Sequence, residues 1–214
     1  SLAARCARIP RIVYCIAGWV FLEDISQSKK ALYTLIERWS ASLKDTIICL
    51  HSKDVEAAHE RKITPRKEIT IIPNGIDLTF FDTQIKARED ARKALGLPKD
   101  TYIFGTIGHF YPAKDLPRYI DVCARIHMEH PETLFVLIGD GMERPLIEQK
   151  IHEHRLEKHV LLLGSKESAW KYMRAFDTFV LPSTKEGMPF TLLEAMAASL
   201  PCVVTDVGAN QWTL

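Results

Sequence analysis

The chain has 214 residues, of which 47% are hydrophobic and 26% charged, and its formal net charge is +1. This is ordinary globular composition, enough for one large domain or parts of two, and it gives no bulk charge to draw a polyanion such as nucleic acid. Five cysteines (Cys6, Cys15, Cys49, Cys123, Cys202) are odd in number and never form a C-x-x-C pair, which points to buried or incidental thiols in a reducing cytoplasm.

Along the chain, residues 12–22 form the longest unbroken apolar run, short of the roughly 20 residues a bilayer requires. It reads as a buried strand with its following loop. From Ser26 to Leu43 a helical pattern follows, with Leu32, Leu35, Ile36, Trp39 and Leu43 on one face at i, i+3, i+4 spacing. Thr46 to Leu50 is a short apolar strand, and Ser52 to Lys62 a polar helix opened by a Ser cap. Ile69 to Ile72 is stopped by Pro73-Asn74-Gly75, read as a turn in which Asn and Gly tolerate positive φ. Gln84 to Ala94 is highly charged and suits a solvated helix or a linker.

From Tyr102 the alternation tightens. Strands at 102–108, 133–139, 160–164, 178–182 and 201–206 alternate with helices near Leu116–Glu129, Arg144–Arg155, Ser168–Ala175 and Pro189–Ser199. Continuous apolar strands alternating with helices indicate a parallel sheet covered on both faces, hence a doubly wound α/β fold. Two similar lobes joined near residues 64–77 are expected. The opening on Ser1, without Met or a signal-peptide pattern, and the stop at Leu214 without a closing helix read as a fragment.

Ligands of such sheets bind beyond the carboxyl ends of the strands, so the loops there carry the interest. Gly108 to Lys114, Gly139 to Gly141 and Gly164 to Lys166 each begin on glycine, which stops a strand and lets a ligand approach backbone. The next loop, Ser183 to Thr191, runs straight into a helix with Pro189 suited to its first turn. The free N–H groups of that turn, with Gly187 beside them, make an anion site. Glu186 lies on the loop and Glu194 about two turns into the helix, among Leu192, Leu193, Ala195, Met196 and Ala197, an uncomfortable place for a merely solvated carboxylate.

Glu186-Gly187-Met188-Pro189-Phe190-Thr191-Leu192-Leu193-Glu194 resembles the E-x7-E motif of the retaining family 4 (group 1) glycosyltransferases, enzymes of the GT-B fold. Ile71 to Asp77 with Phe80-Phe81 resembles the segment where that family enters its donor domain. Gly108 to Lys114 resembles its G-R-x-x-x-x-K phosphate loop, and Phe135 to Gly141 and Leu161 to Gly164 its next two strand ends. Residues 1–50 resemble the back half of the acceptor lobe.

The resemblance implies a GT-B-like α/β protein with two Rossmann-like, doubly wound parallel-sheet lobes, both incomplete. Residues 1–67 would be the acceptor-side lobe and 68–214 the nucleotide-sugar donor lobe, truncated at its end. It implies transfer of a hexosyl unit, without a metal or cofactor, from a UDP- or GDP-sugar to a glycan or lipid-linked acceptor in cell-surface polysaccharide synthesis. The setting implied is the cytoplasm, with peripheral contact at the inner face of the membrane. By the same resemblance Glu186 holds the transferred sugar as its anomeric centre turns cationic. Gly187, Met188, Pro189, Phe190 and Thr191 hold the diphosphate, Glu194 the ribose, and Lys114 beside Gly108 neutralises the leaving group. The loop after Gly164 borders the base. Glu186, Glu194, Lys114 and the Gly108 loop are expected to converge at the strand ends.

Two positions depart from the family. His109 stands where Arg is usual, replacing a fixed charge by a titratable one. Cys15-Ile16-Ala17-Gly18 stands where T-x-H-G is usual, and Ala17 can neither hydrogen-bond nor move a proton. That keeps a non-catalytic nucleotide-sugar binder in view, alongside a GT-B-fold nucleotide-sugar epimerase. A dinucleotide oxidoreductase is disfavoured, since Gly105-x-x-Gly108 and Gly139-x-Gly141 do not make G-x-G-x-x-G.

Overall fold

A computed structural model describes residues 2–23 and 25–214. They pack as two units. The first runs to Asn74 and takes in Lys185–Pro189 and Asp206–Leu214, while the second comprises Gly75–Thr184 and Phe190–Thr205.

In the first unit, α1 (Leu2–Cys6), β1 (Val13–Cys15), α2 (Gln27–Ala41), β2 (Thr46–Cys49), α3 (Ser52–Glu60) and β3 (Glu68–Ile71) follow in chain order. The strands form a parallel sheet in the order β1-β2-β3. Trp19, Phe21, Ala41, Ile47, Cys49 and Ala58 make its core, with Trp19 and Phe21 stacked at 5.3 Å. Asp45 fixes the entry to β1. Its carboxylate accepts from the Ile12 N–H at 2.8 Å and from Arg5 at 3.0 Å, and the Ile12 bond above all holds its pKa below the usual carboxylate range.

Glu68–Ile71 completes the first sheet beside β2. Two expectations change here. The apolar stripe of α2 is not a core face: Leu32, Leu35, Ile36 and Trp39 are all exposed. At α3 the cap position falls to His51, whose side chain makes no capping bond, and Ser52 is already helical.

In the second unit, α4 (Leu78–Gln84) and α5 (Arg88–Leu95) precede the sheet. Asp77 caps α4 by accepting from the Phe80 N–H at 3.0 Å. The charged stretch at 84–94 is thus largely helix, and it is not wholly solvated. Ala91 and Arg92 are buried, and the Arg92 guanidinium donates to the carbonyls of Ala175, Pro98, Lys99 and Thr101 and to Asp177 at 2.7 Å. Asp177 in turn accepts from the Ile103 N–H at 2.7 Å, which ties this cluster to the first strand of the sheet.

That sheet contains β4 (Ile103–Ile107), β5 (Leu134–Ile138), β6 (Val160–Leu162), β7 (Thr178–Leu181) and β8 (Cys202–Val204). The helices α6 (Leu116–Glu129), α7 (Arg144–Glu153) and α8 (Phe190–Ala197) join them, with a 3-10 helix at Ala169–Ala175 where a helix near Ser168–Ala175 is expected. All strands are parallel, in the order β6-β5-β4-β7-β8. Phe176, Phe179, Leu181, Leu192 and Ala195 pack on one side, and Phe110, Ile120, Phe135 and Ile147 belong to a second cluster. A last short helix, α9 (Asn210–Thr213), belongs to the first unit.

Candidate functional site

In the second unit the strand order reverses at β4. From there the chain moves outward through β5 and β6, then returns to build β7 and β8 on the other side. The crevice at such a switch point is where open α/β sheets bind ligands. Here it is bounded by the loops after β4 and β7, which are joined directly: the Thr184 N–H donates to the Ala113 carbonyl at 2.9 Å.

The loop after β4 carries Gly108, His109 and Lys114. Lys114 ends a 3-10 turn (Pro112–Lys114), is half-buried, and folds its methylenes over Gly108, so that a Cβ on Gly108 would lie 3.7 Å from its Cε. His109 is exposed and lies 6.1 Å from the Tyr111 ring. The glycines after the strands differ in kind. Gly139 (φ +150°) has no room for a side chain, because a Cβ there would collide with the Gly108 carbonyl oxygen. Gly108 is under no such constraint, and a Cβ at Gly164 would meet nothing within 4 Å. Gly139 therefore serves loop packing, whereas Gly108 and Gly164 leave backbone open. The Gly108 N–H donates to Ile138 and the Gly139 N–H to Gly164, both at 3.0 Å, which stacks the three loops at one end of the sheet.

Helix α8 begins at Phe190, so Pro189 directly precedes it. Phe190 is exposed, Thr191 half-buried, and Leu192 and Ala195 anchor the helix to the core. Glu194 is half-buried, and burial raises its pKa. Among the described residues no group donates to its carboxylate.

Glu186, Gly187, Met188 and Pro189 pack within the first unit, at the carboxyl end of its sheet. Gly187 lies against the loop after β1: a Cβ on it would stand 2.6 Å from the Ala17 carbonyl oxygen. Its own carbonyl accepts from the Ala209 N–H at 2.8 Å. Gly208 passes so close to the Glu186 carbonyl oxygen that a Cβ on it would collide there. Met188 and Pro189 are buried, and the Asn74 amide donates to the Met188 carbonyl at 2.7 Å. Lys185 donates to Glu23 at 2.8 Å. Ala17 itself is exposed.

Sequence reasoning passed over His51 and Asp54, at the end of β2. They are buried 3.2 Å apart, and burial drives both toward their neutral forms, lowering the His51 pKa and raising that of Asp54. It also read Asn74 only as a turn former. Neither Asn74 nor Gly75 adopts positive φ, and Pro73-Asn74-Gly75 forms no turn, contrary to expectation.

Parallel sheets flanked by helices, with loops gathered at the carboxyl ends of the strands, define an α/β protein of the GT-B class. The family described as "Glycosyl transferases group 1" matches residues 87–212, and the chain belongs to it. It is 34% identical over 213 residues to the Escherichia coli UDP-Gal:alpha-D-GlcNAc-diphosphoundecaprenol alpha-1,3-galactosyltransferase, covering 98% of this chain and 55% of that protein. It is 30% identical over 207 residues to the putative glycosyltransferase EpsF of Bacillus subtilis, covering 96% and 54% respectively. The chain thus spans about half the length of the curated relatives it matches. Among solved structures, Anabaena HepE in complex with UDP-glucose superposes with a TM-score of 0.83 at 21% identity, over 100% of this chain and 58% of that one. No helix among the described residues is long and apolar enough to cross a membrane.

Proposed function

We propose that this chain carries the donor machinery of a retaining hexosyltransferase that uses a nucleotide diphosphate-sugar. The observation that carries the reading is Glu194, a half-buried carboxylate on the helix that follows β7, beside the β4/β7 switch point, to which no group among the described residues donates. A carboxylate so placed gains most from a ligand that brings hydroxyl donors, as ribose does. The open backbone at Gly108 and the Lys114 ammonium suit a diphosphate, and the N–H groups at the start of α8 add positive field without a metal. His109 supplies an imidazole donor at the same loop. Gly164 borders the base, and Gly187 to Thr191 hold the phosphates.

Glu186 is assigned to the sugar as positive charge develops at C1, which makes it the residue whose contact strengthens in the transition state. Residues 1–67 are assigned to the acceptor side and residues 68–214 to the donor. The acceptor is a glycan or a lipid-linked saccharide in polysaccharide synthesis; the name of the E. coli relative gives a lipid-linked acceptor, alpha-D-GlcNAc-diphosphoundecaprenol. A lipid-linked acceptor would hold the protein at the inner face of the membrane, as a peripheral cytoplasmic enzyme.

In the full-length protein, Glu194→Ala should mainly weaken nucleotide binding, whereas Glu186→Ala should depress kcat by about a hundredfold with donor affinity little changed. Equal effects of the two substitutions on affinity would contradict the assignment. Ala17 favours a second reading, a nucleotide-sugar binder that does not turn over. Absence of transfer with UDP-, GDP- and ADP-sugars, in both the wild type and Ala17→His, would establish it. Free nucleotide with an epimerised sugar would instead identify an epimerase.

A further inference from the structure

We infer that Asn74 and the Lys185–Glu23 pair are positioning residues that fix the loop carrying Glu186, an inference that rests on the role proposed for Glu186. Residues 185–189 have no helix or strand of their own to hold them. Their order comes from contacts inside the first unit. Lys185, half-buried, donates to Glu23 at 2.8 Å, and its charge also acts on Asp54. Two residues past Glu186, the Met188 carbonyl accepts from the Asn74 amide at 2.7 Å. Between these clamps the backbone is pressed from both sides, by Gly208 at the Glu186 carbonyl and by Ala17 at Gly187. The Glu186 Cα therefore has little freedom, and this is what a group required to meet developing charge needs.

Backbone geometry gives Asn74 no other reason to be Asn. It does not take positive φ, so turn conformation does not select it. Its side-chain amide is used on a carbonyl 114 residues away, next to the proposed catalytic loop. In the same way Lys185 ties the loop to Glu23 across 162 residues of sequence.

The test uses the full-length protein, with kcat, donor KM and UDP or GDP affinity measured separately. Asn74→Ala should lower kcat about tenfold or more and nucleotide affinity by clearly less, because a small shift of the loop costs the placement of Glu186 more than it costs the phosphate contacts of residues 187–191. Lys185→Gln and Glu23→Gln should each lower kcat, the double variant should be no slower than the worse single, and Lys185→Arg should retain most of the rate. In a Glu186→Ala background, Asn74→Ala should have no further effect on kcat. The inference is overturned if kcat survives Asn74→Ala, if the Lys185 and Glu23 effects simply multiply, or if nucleotide affinity falls in step with kcat. Should Asn74→Ala fail to fold, the Lys185/Glu23 cycle decides alone. If Glu186→Ala turns over at the wild-type rate, the Glu186 assignment itself fails. If Glu186→Ala is inactive but the Asn74 and Lys185/Glu23 variants behave as wild type, only the positioning claim is lost.

Discussion

Glu194 and Arg92 are both charges drawn into protein, and their surroundings treat them in opposite ways. Arg92 is paired at every nitrogen, to backbone carbonyls and Asp177, so its burial is compensated. Arg92→Leu should therefore destabilise the second unit by about 3 kcal/mol, read as a lowered denaturant midpoint, because Asp177 loses its buried partner. An unchanged midpoint would show that Arg88, 2.6 Å from Asp177, suffices. Among the described residues Glu194 has no such compensation. Burial raises its pKa, so its stabilising contribution is present below the ordinary carboxylate value and is lost as pH rises through the folded one. Glu194→Gln should leave unliganded stability at pH 7 unchanged or higher while weakening nucleotide affinity about tenfold. A loss of unliganded stability would mean that the carboxylate serves the fold. The partial burial of Glu194 was legible in the sequence from its apolar neighbours. Burial of Arg92 was not, because a run of charges does not reveal which guanidinium will find carbonyls enough to leave water.

Elements were legible where their period was clean. The β4–β7 alternation followed from apolar runs and glycine stops, because strands covered on both faces must be apolar throughout. The stripe on α2 shows the limit of that logic: periodicity tells which face is apolar, and says nothing of what covers it. Adjacent loops give a test at this scale. Gly139→Ala should press on the Gly108 carbonyl and lower both stability and nucleotide affinity, whereas Gly164→Ala, at φ +68° in open space, should cost only backbone strain of about 1 kcal/mol. Equal losses at the two positions would refute the distinction between them. A second test lies between α6 and β6. The rings of His127 and His159 sit 3.9 Å apart, and burial first, then His159, lowers the His127 pKa. Since the unfolded chain binds the proton first, stability should be full above about pH 6.5 and fall as pH drops below it. His127→Gln should remove that step from a pH series of urea midpoints; a step that persists would place its origin elsewhere.

At the scale of the whole molecule, the sequence read as two consecutive lobes, whereas the chain returns twice to its first unit, at Lys185–Pro189 and Asp206–Leu214. Nothing local announces such returns. They depend on contacts such as Asn74 with Met188 and Gly187 with Ala209, between residues far apart in sequence. The motif block, by contrast, is local: a glycine, a helix start and two carboxylates occupy the nine consecutive residues 186–194. What Ala17 does to the chemistry depends on what the first unit offers in its place. The central claim is retaining transfer from a nucleotide diphosphate-sugar, and the anomeric configuration of the first-formed product tests it most directly. In the full-length protein given an α-linked UDP- or GDP-sugar and a saccharide acceptor, NMR of the anomeric proton should show an α-linked product. A β-linked product would contradict the account.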